Sequence, residues 1–175
     1  MVLLNSLELD YGKKLVDFEL LDTITGKIVS SKDLNKELAV IAFICNHCPY
    51  VVKIIDEFSK LARSCKDSSK AQFIAISAND PDYREEDSPQ NMKIFAEKHQ
   101  FSFPYLFDES QDVARAYGAV CTPDIFVYKK ISTDYKLVYH ARFEDLAKAI
   151  DDLQNQDTVS FENLPSAGCS IKWRA

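Results

Sequence analysis

Apolar residues along the chain fall into recognisable periodic patterns. Leu38–Cys45 and Gln72–Ser77 are near-continuous apolar stretches without charge, as expected of strands buried on both faces. Between them Val51, Ile54, Ile55, Phe58, Leu61, Ala62 and Cys65 recur at helical spacing, predicting a helix from Pro49 to Cys65. Met92, Phe95, Ala96 and His99 line a second helix, whose start is marked by the capping hydroxyl of Ser88 and a first-turn proline, Pro89. Ser110–Tyr117 reads as a short helix closed by Gly118, and Phe143, Leu146, Ala147, Ile150 and Leu153 mark a last amphipathic helix. Val16–Leu21 and Lys27–Ser30 flank Asp22–Gly26 as a β-hairpin, followed by one helical turn at Ser31–Leu34. Phe103–Phe107 is short and extended, and Asp124–Lys129 with Lys136–His140 reads as an antiparallel strand pair. Asn79–Asp87 is a polar loop, and residues 156–175 show little periodicity.

The predicted order is hairpin, β, α, β, α, short β, α, β, β, α. A right-handed crossover makes the two apolar strands parallel neighbours. The fold class is therefore α/β, a mixed central sheet with helices on both faces and an N-terminal β-hairpin. Residues 1–155 are expected to form one domain, with 156–175 a tail packing on or near it.

The chain has 175 residues, of which 46% are hydrophobic and 27% charged, ordinary values for one globular domain. Only four glycines disfavour a turn-rich all-β barrel. A net charge of −6 without a basic patch argues against nucleic acid and against an anionic membrane surface. No apolar run approaches the ~20 residues of a membrane span. Asp10, Asp17 and Glu19 near the start are unlike a signal peptide, so a cytoplasmic location is expected.

Five cysteines, Cys45, Cys48, Cys65, Cys121 and Cys169, are an odd number and a poor disulfide framework. Cys45-Asn46-His47-Cys48-Pro49 lies where a buried strand hands over to a helix, outside the carboxyl end of the strand, where sites form in such sheets. In a helical turn Cys45 and Cys48 share a face and reach disulfide distance. Unpaired N–H groups of the first turn, and a protonated His47, stabilise a thiolate at Cys45. Cys45 is then the nucleophile, and Cys48, one turn in and more buried, resolves the mixed disulfide. The pair read as half of a zinc site lacks a second C-x-x-C or H-x-x-x-H, although Cys121 and Cys169 are available to complete one. No cofactor-binding motif is present, so none is expected.

Pro123, in Cys121-Thr122-Pro123-Asp124, precedes a strand. A cis bond there leaves Thr122 extended, with free backbone groups facing the cysteine pair and open to a substrate strand. Cys65 lies ~25–30 Å along a helix from the pair and reads as a buried, inert thiol. Cys121 and Cys169 are candidate further redox thiols, with simple packing, anchored in the tail by Trp173, as the alternative. His99, His140 and the acidic pairs, Asp108-Glu109 among them, read as structural or solvated.

The element order, the C-x-x-C-P after the first buried strand and the later Thr-Pro resemble the thioredoxin superfamily. The runs Leu15–Leu20, Phe43–Val51, Phe103–Glu109, Ala116–Asp124 and Gly168–Trp173 resemble its redoxin or peroxiredoxin-like (AhpC/TSA-type) branch, specifically a bacterial thioredoxin-like subfamily. The resemblance implies a thioredoxin-like fold and a thiol–disulfide oxidoreductase, with Cys45 attacking, Cys48 resolving and Pro123 the cis-proline. It implies a disulfide- or thiol-bearing protein or small thiol as substrate, and a thioredoxin or glutathione system as reducing partner. A thiol peroxidase using Cys45 is the alternative, though Ala42 and Ala39 stand where peroxiredoxins carry peroxide-site residues, and no arginine lies near Cys121. A non-catalytic zinc- or partner-binding module is the second alternative. Asn-His between the cysteines resembles the oxidising members, which implies a reduction potential above that of thioredoxin. A carboxylate assisting the resolving thiol is sought at Glu19.

Overall fold

The two uncharged apolar stretches lie side by side at the middle of a seven-stranded sheet in the computed structural model, which describes residues 3–68 and 70–175. In chain order the elements are β1 (Leu3–Asn5), β2 (Glu19–Asp22), β3 (Ile28–Ser30), β4 (Leu38–Phe43), α1 (Pro49–Asp67), β5 (Ala71–Ser77) and α2 (Pro89–Lys98). There follow β6 (Tyr105–Phe107), α3 (Asp112–Tyr117), β7 (Cys121–Thr122), β8 (Asp124–Ile131), β9 (Asp134–Ala141), α4 (Leu146–Asn155) and β10 (Ala167–Ser170). Single 3-10 turns lie at Ser31–Asp33, Glu85–Asp87 and Phe143–Asp145.

The large sheet runs β3-β2-β6-β5-β4-β8-β9, with β4, β5 and β6 parallel and the other pairs antiparallel. Side chains alternate across β4. Leu38, Val40 and Ala42 pack with α1, α2 and α4, while Ala39, Ile41 and Phe43 pack with α3, Leu15 and Phe18. Both faces are thus covered, which is why β4 reads as an unbroken apolar run. Phe58 of α1 meets Phe73 and Phe103 edge-on, at ring-centroid distances of 5.3 and 5.5 Å. Helix limits follow the local signals: the Asn91 N–H donates to Ser88 Oγ (3.4 Å), and Gly118 ends α3 at φ +75°. No helix among the described residues is long and apolar enough to cross a membrane.

Two findings differ from the sequence reading. Asp108 is buried rather than solvated: it accepts the Ala114 N–H at 2.8 Å and so ties the first turn of α3. The tail is ordered by pairing that leaves no periodic trace. Its strand β10 lies between β1 and β7 in a second, three-stranded antiparallel sheet. Strands of two to four residues are too short to show a period of two, so neither β1, β7 nor β10 is visible in the pattern. Beyond β10 the tail stays attached. Asp80 N donates to Lys172 O (2.9 Å), Lys172 N donates to Asn79 Oδ1 (2.8 Å), and the Arg115 guanidinium sits 4.8 Å from the Trp173 ring centre.

Candidate active site

After β4 the chain continues beside β5, with Ile44 N donating to Ile76 O at 2.9 Å, and then turns through Cys45–Cys48 into α1. The helix begins at Pro49, where the apolar spacing predicts it; Cys48, held extended as the residue before proline, has φ −72° and ψ 119° and is the N-cap. The field of the helix end therefore falls on Cys48, not Cys45. Both sulfurs are buried, so Cys48 is not the more hidden of the two. Cys45 is pushed well above the usual thiol range, first by its hydrogen bond with Cys48, then by burial and the negative charge of Asp87. Cys48 is brought down to about 4. The hydrogen bond from Cys45 is the main cause, and the Cys169 thiol and the N–H groups of Val51 and Cys169 add to it against burial. The two thiols share a hydrogen bond and titrate as a pair, Cys45 pushed up and Cys48 pulled down by it.

The Thr122–Pro123 bond is cis, and it carries the chain from the small sheet into the large one, from β7 to β8. Thr122 touches both cysteines: its Oγ1 lies 3.2 Å from Cys45 Sγ, and its carbonyl oxygen lies 3.2 Å from Cys48 Sγ. The backbone edge of Thr122, expected free for a substrate strand, is taken by the chain itself. Cys169 pairs with Thr122 and Ser170 with Cys121 across β10 and β7. That pairing sets Cys169 Sγ 2.8 Å from Cys48 Sγ. Gly168 permits the approach, since a Cβ there would stand 2.0 Å from Thr122 O.

The remaining thiols are held protonated. Cys169 is pushed up to about 12 by burial and then by Cys48. Cys121 is raised by burial and the Asp124 charge, its sulfur 3.9 Å from Pro123 O. Cys65, on the apolar side of α1, is raised by burial. The structure therefore brings Cys45, His47, Cys48, Thr122, Pro123 and Cys169 together, with Cys121 at the margin.

Glu19 is exposed on β2, three strands from β4, and does not serve the pair. The buried carboxylate is Asp87, in the turn before α2. It accepts from Asn46 N (2.7 Å) and Asn79 Nδ2 (2.8 Å), and its Oδ2 lies 2.5 Å from His47 Nδ1. Asn46 is fixed further by the Tyr105 hydroxyl, which donates to its Oδ1 at 3.0 Å, and by its own amide, which donates to Glu86 O at 2.6 Å. Asp87 carries no local signal, because nothing within Glu85-Glu86-Asp87 separates a buried acid from two solvated ones. Cys45 Sγ, a His47 ring nitrogen and an Asp87 oxygen lie within 4.8 Å of one another and form a set of three metal donors. Two of the three are already engaged in the short His47–Asp87 contact, which a cation would have to open.

The AhpC/TSA family model matches residues 11–139, a span that holds the cysteine pair and Pro123 but not Cys169. An uncharacterised conserved protein from Geobacillus kaustophilus is 37% identical over 99% of this chain and 97% of its own, with a TM-score of 0.93. A hypothetical protein from Sinorhizobium meliloti 1021 is 32% identical over 98% of both chains, with a TM-score of 0.91. The thioredoxin domain of a thiol-disulfide oxidoreductase from Bacteroides vulgatus shares the fold at 21% identity, covering 83% of this chain and 99% of its own, with a TM-score of 0.66. No curated protein matches the sequence. With a matching family model over most of its length and a cysteine pair at the strand-to-helix junction of a thioredoxin-like fold, the chain belongs to the AhpC/TSA family.

Proposed function

We propose that the protein is a thiol–disulfide oxidoreductase whose redox pair is Cys45 and Cys48. The observation that carries this reading is the buried cysteine pair at the start of α1, with Cys48 at the N-cap and Thr122, before the cis-proline, 3.2 Å from both sulfurs; the pull of the pair on Cys48 marks it as the attacking thiolate. The thiolate, not the thiol, attacks disulfides. Cys48 attacks one sulfur of a substrate disulfide, and the other sulfur leaves with the electron pair. Cys45 then attacks Cys48, closing the Cys45–Cys48 disulfide and releasing the first substrate sulfur as a thiolate. The Cys45 proton must depart as it attacks. Asp87, whose charge already acts on Cys45, is placed to take it directly or through His47. Two electrons pass to the substrate, and the reverse sequence oxidises a dithiol. The substrate class is a disulfide- or thiol-bearing protein or small thiol, with a thioredoxin or glutathione system closing the cycle in a reducing cytoplasm.

The test is a redox titration in graded thiol buffers, followed by alkylation and mapping by mass. One two-electron transition involving Cys48 and Cys45 is expected. A thiolate held this far down stabilises the reduced form, so the midpoint should lie above the thioredoxin value of about −270 mV. A flat titration sinks the reading, and stoichiometric zinc in protein purified without chelator would put a metal site in its place. A peroxidase on the same thiols lacks support at the expected positions: Ala39 and Ala42 are buried on opposite faces of β4 and offer a peroxide no polar group.

A further inference from the structure

Strand β10 is more than packing. A strand laid against the backbone of the residue before the cis-proline, with a sulfur held at the redox pair, is the geometry a substrate disulfide would have to adopt. The chain's own tail fulfils both conditions. Thr122 pairs with Cys169, and the Cys48 and Cys169 sulfurs lie 2.8 Å apart, about 0.8 Å beyond a disulfide bond. The fit is made by a specific residue, Gly168, whose missing side chain lets β10 lie on Thr122 and Pro123. The strand is also held from both ends. β1 pairs along Ala167–Cys169, and Lys172 N donates to Asn79, whose amide donates in turn to Asp87.

We propose that β10 is an internal substrate strand and Cys169 a third redox thiol, which receives the disulfide from the Cys45–Cys48 pair by forming a Cys48–Cys169 bond. This rests on the oxidoreductase reading above. The step is an exchange within one chain. Cys169, deprotonating, attacks Cys48 Sγ; the Cys45–Cys48 bond breaks, the Cys48–Cys169 bond forms, and Cys45 leaves with the electron pair and takes up a proton. No external oxidant or reductant is consumed. The setting helps the attack and constrains the departure: a disulfide-bonded Cys48 carries no charge to oppose ionisation of Cys169, whereas the Asp87 charge disfavours a free Cys45 thiolate, so Cys45 must be protonated as it leaves. While β10 stays in place it closes the Thr122 edge to outside strands, so an external protein substrate must displace it, whereas a small disulfide need only reach Cys48.

The experiment uses the full chain and the small aromatic disulfide dithionitrobenzoate. In Cys45→Ser, attack by Cys48 releases one thionitrobenzoate, and resolution by Cys169 releases a second and leaves a Cys48–Cys169 bond, mapped by mass. In Cys45→Ser with Cys169→Ser, one is released and the adduct remains on Cys48. In otherwise unaltered protein, Gly168→Ala is expected to reduce the Cys48–Cys169 species at least about tenfold by moving the two sulfurs apart, with Cys45–Cys48 still forming. An adduct that persists in Cys45→Ser with Cys169 intact overturns the third-thiol proposal. So does a Cys48–Cys169 yield unchanged by Gly168→Ala in a variant of unaltered circular dichroism. Failure of the oxidoreductase reading looks different: neither disulfide forms in the wild type.

Discussion

Of five buried cysteines, four are held above the ordinary thiol range and one below it. Thiolate absorbance of the reduced protein should therefore correspond to a single thiolate between about pH 5 and 8.5, lost in Cys48→Ser; two thiolates, or a signal that survives that variant, would remove the assignment. Stability follows with a fixed sign. The folded value of Cys48, about 4, lies below the ordinary thiol value of 9.0, so its contribution is present above pH 9 and is lost as pH falls through 4. Urea midpoints of reduced wild type should gain on those of Cys48→Ser as pH rises across that window. Asp87 carries a different load. Asp87→Ala leaves the donors on Asn46, His47 and Asn79 without their acceptor, at a cost of roughly 3 kcal/mol in urea unfolding. It should also lower the Cys45 pKa, an effect that loss of stability alone would not produce. The cysteine pair and Thr122-Pro123 were legible in sequence because spacing and neighbours mark them. Asp87 was not, because Asn46 and His47 lie 41 and 40 residues upstream, Asn79 lies 8, and all three meet it only in the fold.

Two elements carry the site, and they were legible to different degrees. Helix α1 was plain from its apolar stripe. Its start at Pro49 was legible as well, and the extended backbone that Pro49 imposes on Cys48 makes that residue the N-cap, so its sulfur meets the helix end. The stripe anchors the helix through Phe58, whose ring touches Phe73, Phe103 and Phe143. Phe58→Ala should cost about 3–5 kcal/mol in urea unfolding. Any fall in the rate of Cys48 with a small disulfide should follow from unfolding alone, and a fall in protein shown to be folded would mean that α1 is coupled to the site more tightly than its contacts indicate. Strand β10 shows no such pattern. Its four residues, AGCS, have neither alternation nor β-branched content, and its place is fixed by pairing with β1 and β7 from distant parts of the chain.

At the scale of the whole molecule the tail beyond residue 155, expected to pack on or near the domain, joins it through a second sheet. The tail holds β10, buried Cys169 and Ile171, and the Lys172 bonds to Asn79 and Asp80. Burial of such residues contributes about 3–5 kcal/mol. Ending the chain after Gln156 should therefore lower Tm by about 10 °C or more, and should raise the alkylation rate of Cys48 in whatever fraction stays folded. An unchanged Tm would make the tail dispensable to the fold. What the sequence determined by itself was everything encoded locally: the α/β order, the mixed sheet, the helices, the cysteine pair and the residue before the proline. Periodicity, caps and spacing are properties of neighbours in the chain. What only the tertiary structure decided was which groups surround each thiol, which carboxylate lies beside the pair, and what occupies the edge of Thr122. Each depends on burial and on contacts between segments far apart in sequence. A sulfur's charge state is set by the sum of the groups around it, and that sum exists only once the chain has closed around Cys48.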